Sequence, residues 1–73
     1  MNIAIVWATG NVGRKILEVL EKKELAIDNL YLLASSRSAG SKINFNGNEY
    51  EVLNLEIFDF SKVKITFFAA GGK

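Results

Sequence analysis

The sequence contains no cysteine and no histidine in its 73 residues. Without cysteine there is no disulfide, no thiolate zinc site and no thiol nucleophile. Without histidine the commonest general base and metal ligand is missing too, so no catalytic residue of these kinds and no metal site is expected. An excess of one charge is also lacking. Nine Lys and Arg against eight Asp and Glu leave a net charge of +1, too balanced for a general nucleic-acid or membrane-surface binder. No apolar run approaches the roughly 18 residues that span a bilayer, and the start lacks a signal-peptide layout. The chain is therefore read as cytoplasmic. Its composition is globular, with no repeat and no low-complexity tract. A chain of this length makes one small domain with a modest buried fraction. Small complete domains usually carry staples, and their absence here suggests part of a larger unit.

What is present centres on Ile3-Ala-Ile-Val-Trp-Ala-Thr-Gly-Asn-Val-Gly13. The apolar run 3–6 is too short for a helix and suits a strand covered on both faces. After Gly13 the period changes. Val12, Ile16, Val19 and Leu20 share one side of a helix expected over 11–23, and Arg14, Lys15, Glu18, Glu21 and Lys22 share the other. Strand, glycine turn and amphipathic helix are the first half of a dinucleotide-binding βαβ unit. There the helix N-terminus aims backbone N–H groups at a pyrophosphate. The usual three glycine positions read Trp7, Gly10 and Gly13. Gly10 stands where backbone approaches phosphate and Gly13 where helix and strand pack closely, but a tryptophan replaces the turn glycine. An indole there occupies space that cofactor or backbone normally takes unless the turn opens, so Trp7→Gly is expected to raise cofactor affinity. Thr9 and Asn11 are candidate helix caps. Glu18 and Lys22 are spaced for an i,i+4 pair, although a solvated face is the plainer account of these charges.

A second apolar run, 30–34, reads as another buried parallel strand and follows the turn signal Asp28-Asn29. Its tip carries Ser35-Ser-Arg-Ser-Ala-Gly40. At this place an acid suits the 2′-hydroxyl of NAD, whereas arginine and hydroxyls suit the 2′-phosphate of NADP. Ser35, Arg37 and Ser38 therefore point to NADP; a polar loop with one solvated arginine is the plain alternative. Residues 43–46 and 49–53 alternate around Gly47-Asn48 as a hairpin. Leu55, Phe58 and Phe60 read as core or docking residues, and Asp59-Phe-Ser61 as a turn. Residues 65–70 read as a third buried strand, ending in Gly71-Gly72.

These stretches resemble the N-terminal segment of the aspartate-semialdehyde dehydrogenase family. The resemblance runs through Ala8-Thr-Gly-Asn-Val-Gly13, Leu32-Leu-Ala-Ser-Ser-Arg-Ser-Ala-Gly40, Phe45-Asn-Gly-Asn-Glu-Tyr50 and Phe67-Phe-Ala-Ala-Gly-Gly72, and the Ala-Ser-x-Arg-Ser-Ala-Gly stretch is its most specific part. It implies a Rossmann-like α/β domain, NADP(H) as cofactor and a homodimer or larger oligomer. The implied reaction reduces aspartyl phosphate to the semialdehyde with loss of phosphate, on the route to lysine, methionine and threonine. By position it assigns Thr9, Gly10, Asn11, Val12 and Gly13 to the phosphate loop and Ser35, Arg37 and Ser38 to the 2′-phosphate. It also places Ala70 and Gly71 along the cofactor. Ala26 stands where the family commonly has proline. The family's acyl-forming cysteine and histidine base are not in this sequence, so no thioacyl intermediate can form on it and it is not expected to turn over by itself.

The expected architecture is an incomplete Rossmann-like, mainly parallel sheet with one long helix and a hairpin near 43–53, residues 1–73 forming a partial NADP-binding domain without a catalytic and dimerisation domain. Residues 2–7 are central, with 30–34 on one side, 65–70 on the other and 49–53 beyond 30–34. One helix covers one face, and the other is expected to expose apolar residues, so self-association or association with the remainder of an enzyme follows. A rival reading is a non-enzymatic remnant or interaction module that binds no nucleotide. N-acetyl-glutamyl-phosphate reductase is a third, and residues 35–40 argue against it.

Overall fold

The first apolar run forms β1, Asn2–Val6, in which Ile3, Ala4, Ile5 and Val6 are all buried. The computed structural model describes residues 1–23 and 26–69. α1 spans Asn11–Lys23 and β2 spans Asn29–Ala34. β3, Lys42–Phe45, and β4, Asn48–Asn54, make an antiparallel hairpin, and β5 spans Ile65–Phe68. The strand order is β3-β4-β2-β1-β5. β1 pairs in parallel with β2 and with β5, and β2 in parallel with β4. The sheet is therefore the expected one, with β1 central.

Alternation along β1 divides the core. Ile3 and Ile5 join Leu17, Leu20, Leu32 and Val52 under α1. Ala4 and Val6 join Leu33 on the other face. That second face is not left open, contrary to the expectation from sequence. The connection 55–63 crosses it in two short 3-10 turns, Leu55–Ile57 and Phe60–Lys62. Leu55, Phe58 and Val63 pack on Ala4, Val6 and Leu33, which are at most 1% exposed. Phe58 also packs at a tilt on Tyr31 and edge-to-face against Phe60, at centroid distances of 5.1 and 5.0 Å.

The turns are set by side-chain acceptors. Asn54 Oδ1 accepts from Glu56 N at 2.9 Å, and Asp59 Oδ1 from Ser61 N at 3.0 Å and Ser61 Oγ at 2.7 Å. The Ser61 hydroxyl, then its backbone N–H, hold the Asp59 carboxyl below its ordinary value. A folded-state pKa below the unfolded one means that this cap's contribution is present above the unfolded value and is lost as pH falls through the folded one. In an NMR pH titration, Ser61→Ala is expected to move the Asp59 midpoint upward. An unmoved midpoint would show that the Ser61 hydroxyl does not donate to Asp59 in solution.

Several local expectations are corrected. The hairpin turn is Asn46-Gly47, one residue earlier than the sequence signal, with φ of 54° and 85°. Two successive positive φ values define the tight hairpin turn that matches strand twist, and an Asn-Gly pair tolerates them. The hairpin is tied to the helix by Glu21, which accepts from Asn46 N. α1 faces the sheet with Gly13, Leu17 and Leu20, while Val12 and Val19 are 43% and 44% exposed. The Glu18–Lys22 pair is absent among the described residues; Glu18 Oε1 instead lies 3.8 Å from Lys15 Nζ. β5 is not a buried strand. It lies at the sheet edge and ends at Phe68, with Ile65 and Phe68 37% and 68% exposed. A run of the same apolar character as β1 thus fills an edge position because nothing among the described residues pairs with its outer side.

Candidate functional site

The carboxyl ends of β1, β2 and β5 meet at one rim. From β1 the chain crosses through α1 to β2 on one side, while β5 lies on the other, so the strand order reverses at β1. Ligands of open α/β sheets lie in the crevice outside such a reversal.

The loop leaving β1 is held from below. Trp7 N and Ala8 N both donate to Leu33 O of β2, at 2.8 and 3.1 Å. Trp7 has φ 66°, so the turn keeps the left-handed geometry that a glycine adopts freely, and an L-residue does so at roughly 1–2 kcal/mol. Trp7 is 41% exposed. Gly10 N donates to Trp7 O at 3.2 Å, and Gly10 O accepts the first helical bond, from Arg14 N at 3.0 Å. Gly10 therefore occupies the cap position itself. The Thr9 and Asn11 side chains make no hydrogen bond among the described residues, a correction to their reading as caps.

Gly13 seats the helix. A Cβ built there falls 2.5 Å from Trp7 O and 2.7 Å from Ala8 Cα, so any other residue drives its Cβ into the backbone of the β1 loop. Close approach of helix to strand puts the N–H groups of the first turn at the rim. No acid lies in that turn, and Lys22 and Lys23 lie in the last, so the positive dipole end stays available to an anion.

Beside it, the turn after β2 is folded on its own backbone. Ser35 O accepts from Ser38 N and Ala39 N, both at 3.0 Å, and Ser38 O accepts from Ser41 N at 3.1 Å. Gly40 N donates to Val52 O and Val52 N to Ser41 O, each at 2.8 Å, which anchors the turn on β4. Ser35 and Ser38 are half-buried and Arg37 is exposed. Among the described residues no carboxylate pairs with Arg37. Thr9, Gly10, Asn11, Val12 and Gly13 are thus on one side of the rim and Ser35, Arg37 and Ser38 on the other, linked through the Leu33 carbonyl. Ala70 and Gly71 lie outside the described residues. Leu33 itself was missed from sequence, because a backbone acceptor leaves no residue signature.

Residues 2–73 match the family described as semialdehyde dehydrogenase, NAD binding domain. The chain belongs to this family. It is 53% identical over 72 residues to an aspartate-semialdehyde dehydrogenase of Legionella pneumophila, covering 99% of this chain and 21% of that protein. Its fold matches aspartate semialdehyde dehydrogenase II of Vibrio cholerae at TM-score 0.92 and 52% identity, covering 97% of this chain and 24% of that one. A probable aspartate-semialdehyde dehydrogenase from Pseudomonas aeruginosa matches at TM-score 0.92 and 40% identity, covering 96% and 21%. The chain therefore spans about a fifth to a quarter of the length of these relatives. The fold is a Rossmann-type NAD(P)-binding one, and no helix among the described residues is long and apolar enough to cross a membrane.

Proposed function

We propose that this semialdehyde dehydrogenase family member binds NADP(H) at the rim between α1 and the 35–41 turn. The observation that carries the reading is the Gly13 seat beside an acid-free serine–arginine turn at the end of β2. In it, residues Thr9, Gly10, Asn11, Val12 and Gly13 form the pyrophosphate loop: Thr9, Asn11, Val12 and Gly13 offer backbone N–H groups, while Gly10, whose own N–H is held by Trp7 O, gives the close backbone approach. Ser35 and Ser38 donate hydroxyls to the 2′-phosphate and Arg37 forks onto it. Ala70 and Gly71 continue the cofactor path by resemblance alone. The residues fit an anion at both places, since the helix N-terminus carries no acid in its first turn and the guanidinium no carboxylate partner among the described residues. The bound cofactor supplies a hydride.

The wider role we propose is the cofactor-binding part of an aspartate-semialdehyde dehydrogenase, converting aspartyl phosphate to the semialdehyde. This sequence supplies no cysteine and no histidine, so it contributes binding and orientation while the attacking thiolate must come from elsewhere. Semialdehyde formation by this polypeptide alone, with contaminating enzyme excluded, would overturn that division. Association accompanies it, with the remainder of an enzyme or with a second copy. Val12, Ile16, Val19 and Phe67 line an apolar trough between α1 and β5, rimmed by Lys15 and Lys23. Sedimentation at high concentration is expected to show species heavier than one chain; a monodisperse monomer counts against it.

The binding reading is tested by titrating the chain with NADPH and NADH while following nicotinamide fluorescence. Tighter binding of NADPH is expected. No binding of either at millimolar cofactor favours the second reading, a non-enzymatic remnant, for which the tryptophan in the first glycine position is the supporting observation.

A further inference from the structure

One tryptophan, two tyrosines and five phenylalanines are present, and the fold places most of them against one another. Tyr31, Phe58 and Phe60 form one aromatic cluster, and Phe45 meets Tyr50 edge-to-face in another. Phe67 packs against the core under α1. Trp7 and Phe68 remain. Among the described residues neither pairs with another ring or joins a core cluster, and they are 41% and 68% exposed.

Their positions are linked. Val6 is in register with Phe68, and Ala69 N donates to Val6 O at 3.0 Å. Trp7 therefore leaves β1 where Phe68 ends β5, at the carboxyl ends of adjacent parallel strands. This is the point at which the strand order reverses. Two large rings in water run against the burial tendency of aromatic surface, and one of them also holds a left-handed backbone that glycine adopts without strain. Strained residues persist where surrounding structure fixes them, and they cluster at ligand sites. Here Trp7 is fixed by its N–H to Leu33 O and its carbonyl to Gly10 N.

We propose that Trp7 and Phe68 form an aromatic rim on which a planar nitrogen heterocycle of the cofactor stacks, at the carboxyl ends of the paired strands β1 and β5. The inference rests on the nucleotide-site reading above and adds its ring-binding surface. Every base or pyridine ring presents a π-face, so stacking needs flat aromatic partners rather than a particular hydrogen-bond pattern. In this account the tryptophan does not degrade the glycine loop. It replaces backbone freedom with a ligand contact.

The experiment uses the full chain and its single tryptophan as reporter. Oxidised NADP, which does not absorb indole emission, is expected to quench Trp7 on binding. Trp7→Phe is expected to keep affinity within about three-fold, whereas Trp7→Leu weakens it about ten-fold or more. Trp7→Gly is the decisive variant, because relief of the positive φ raises its melting temperature while the lost ring lowers its affinity. Phe68→Leu weakens binding several-fold and Phe68→Tyr does not. Parallel titrations with adenosine 2′,5′-bisphosphate and nicotinamide mononucleotide assign the stacked ring, since only its carrier loses affinity in Trp7→Leu. Tighter binding by Trp7→Gly, as expected if the indole obstructs, overturns the proposal, as does unchanged binding by Trp7→Leu. If Arg37→Ala weakens binding while Trp7→Leu does not, the rim fails and the nucleotide site stands. If the unmodified chain binds no cofactor, both fall.

Discussion

Gly13→Ala is expected to abolish the cooperative thermal transition of this chain at room temperature. The added methyl group meets Trp7 O at 2.5 Å, Ala8 Cα at 2.7 Å and Ala8 C at 2.9 Å. All three are backbone atoms, so no rotamer change relieves the contact. Moving the helix outward instead would pull Leu17 and Leu20 from the core they share with Ile3 and Ile5. Overpacking of this kind commonly costs about 1–3 kcal/mol, and more where backbone must shift. A domain of this size has only a few kcal/mol in total. Gly40→Ala provides the contrast. Gly40 has φ 97° but nothing within 4 Å of its built Cβ, so that substitution brings conformational strain alone, about 1 kcal/mol. Circular dichroism melts should therefore show Gly40→Ala folded with a lowered midpoint and Gly13→Ala unfolded. A Gly13→Ala melt no lower than that of Gly40→Ala would remove the close seat of α1 from the account.

The same glycine explains why some of the fold was legible from residues and some was not. The extent of α1, 11–23, follows from its charge and apolar period, and the structure keeps those bounds. Its rotation does not follow. The apolar stripe of Val12, Ile16, Val19 and Leu20 is a good helix face, yet α1 turns so that Gly13, Leu17 and Leu20 meet the sheet. Which stripe goes inward is decided by the one residue that can touch the β1 loop, a long-range steric fact. The edge position of β5 was hidden for a related reason. Its residues are as apolar as those of β1, and burial is set by neighbours rather than by the strand itself. The sequence signal places the turn one residue late, at Gly47-Asn48 instead of Asn46-Gly47, because Asn occupies both 46 and 48 and only pairing of Phe45 with Asn48 selects between them. At the rim, the residue types at 10, 13, 35, 37 and 38 were readable in sequence. Their junction through Leu33 O was not, because backbone carbonyls are identical in every residue.

Arg37 carries the second large expectation. If the 35–41 turn receives the 2′-phosphate, Arg37→Ala lowers NADPH affinity by about 10- to 100-fold, the worth of a charge-assisted hydrogen bond at roughly 1.5–3 kcal/mol. NADH, which lacks that phosphate, is expected to bind this variant as it binds the unmodified chain. Arg37→Lys should fall between, keeping the charge and losing the planar fork. The loss should shrink as salt rises, because the guanidinium is exposed and its field is screened within about 10 Å at 0.1 M. A solvated arginine with no ligand predicts something different, namely equal affinities for both cofactors in all three proteins. Equal losses of NADPH and NADH in Arg37→Ala would point instead to collapse of the turn. That outcome is separable by circular dichroism, since the turn is anchored on β4 through Gly40, Ser41 and Val52 rather than through the Arg37 side chain. Selectivity measured this way isolates one phosphate, and the turn either distinguishes it or does not.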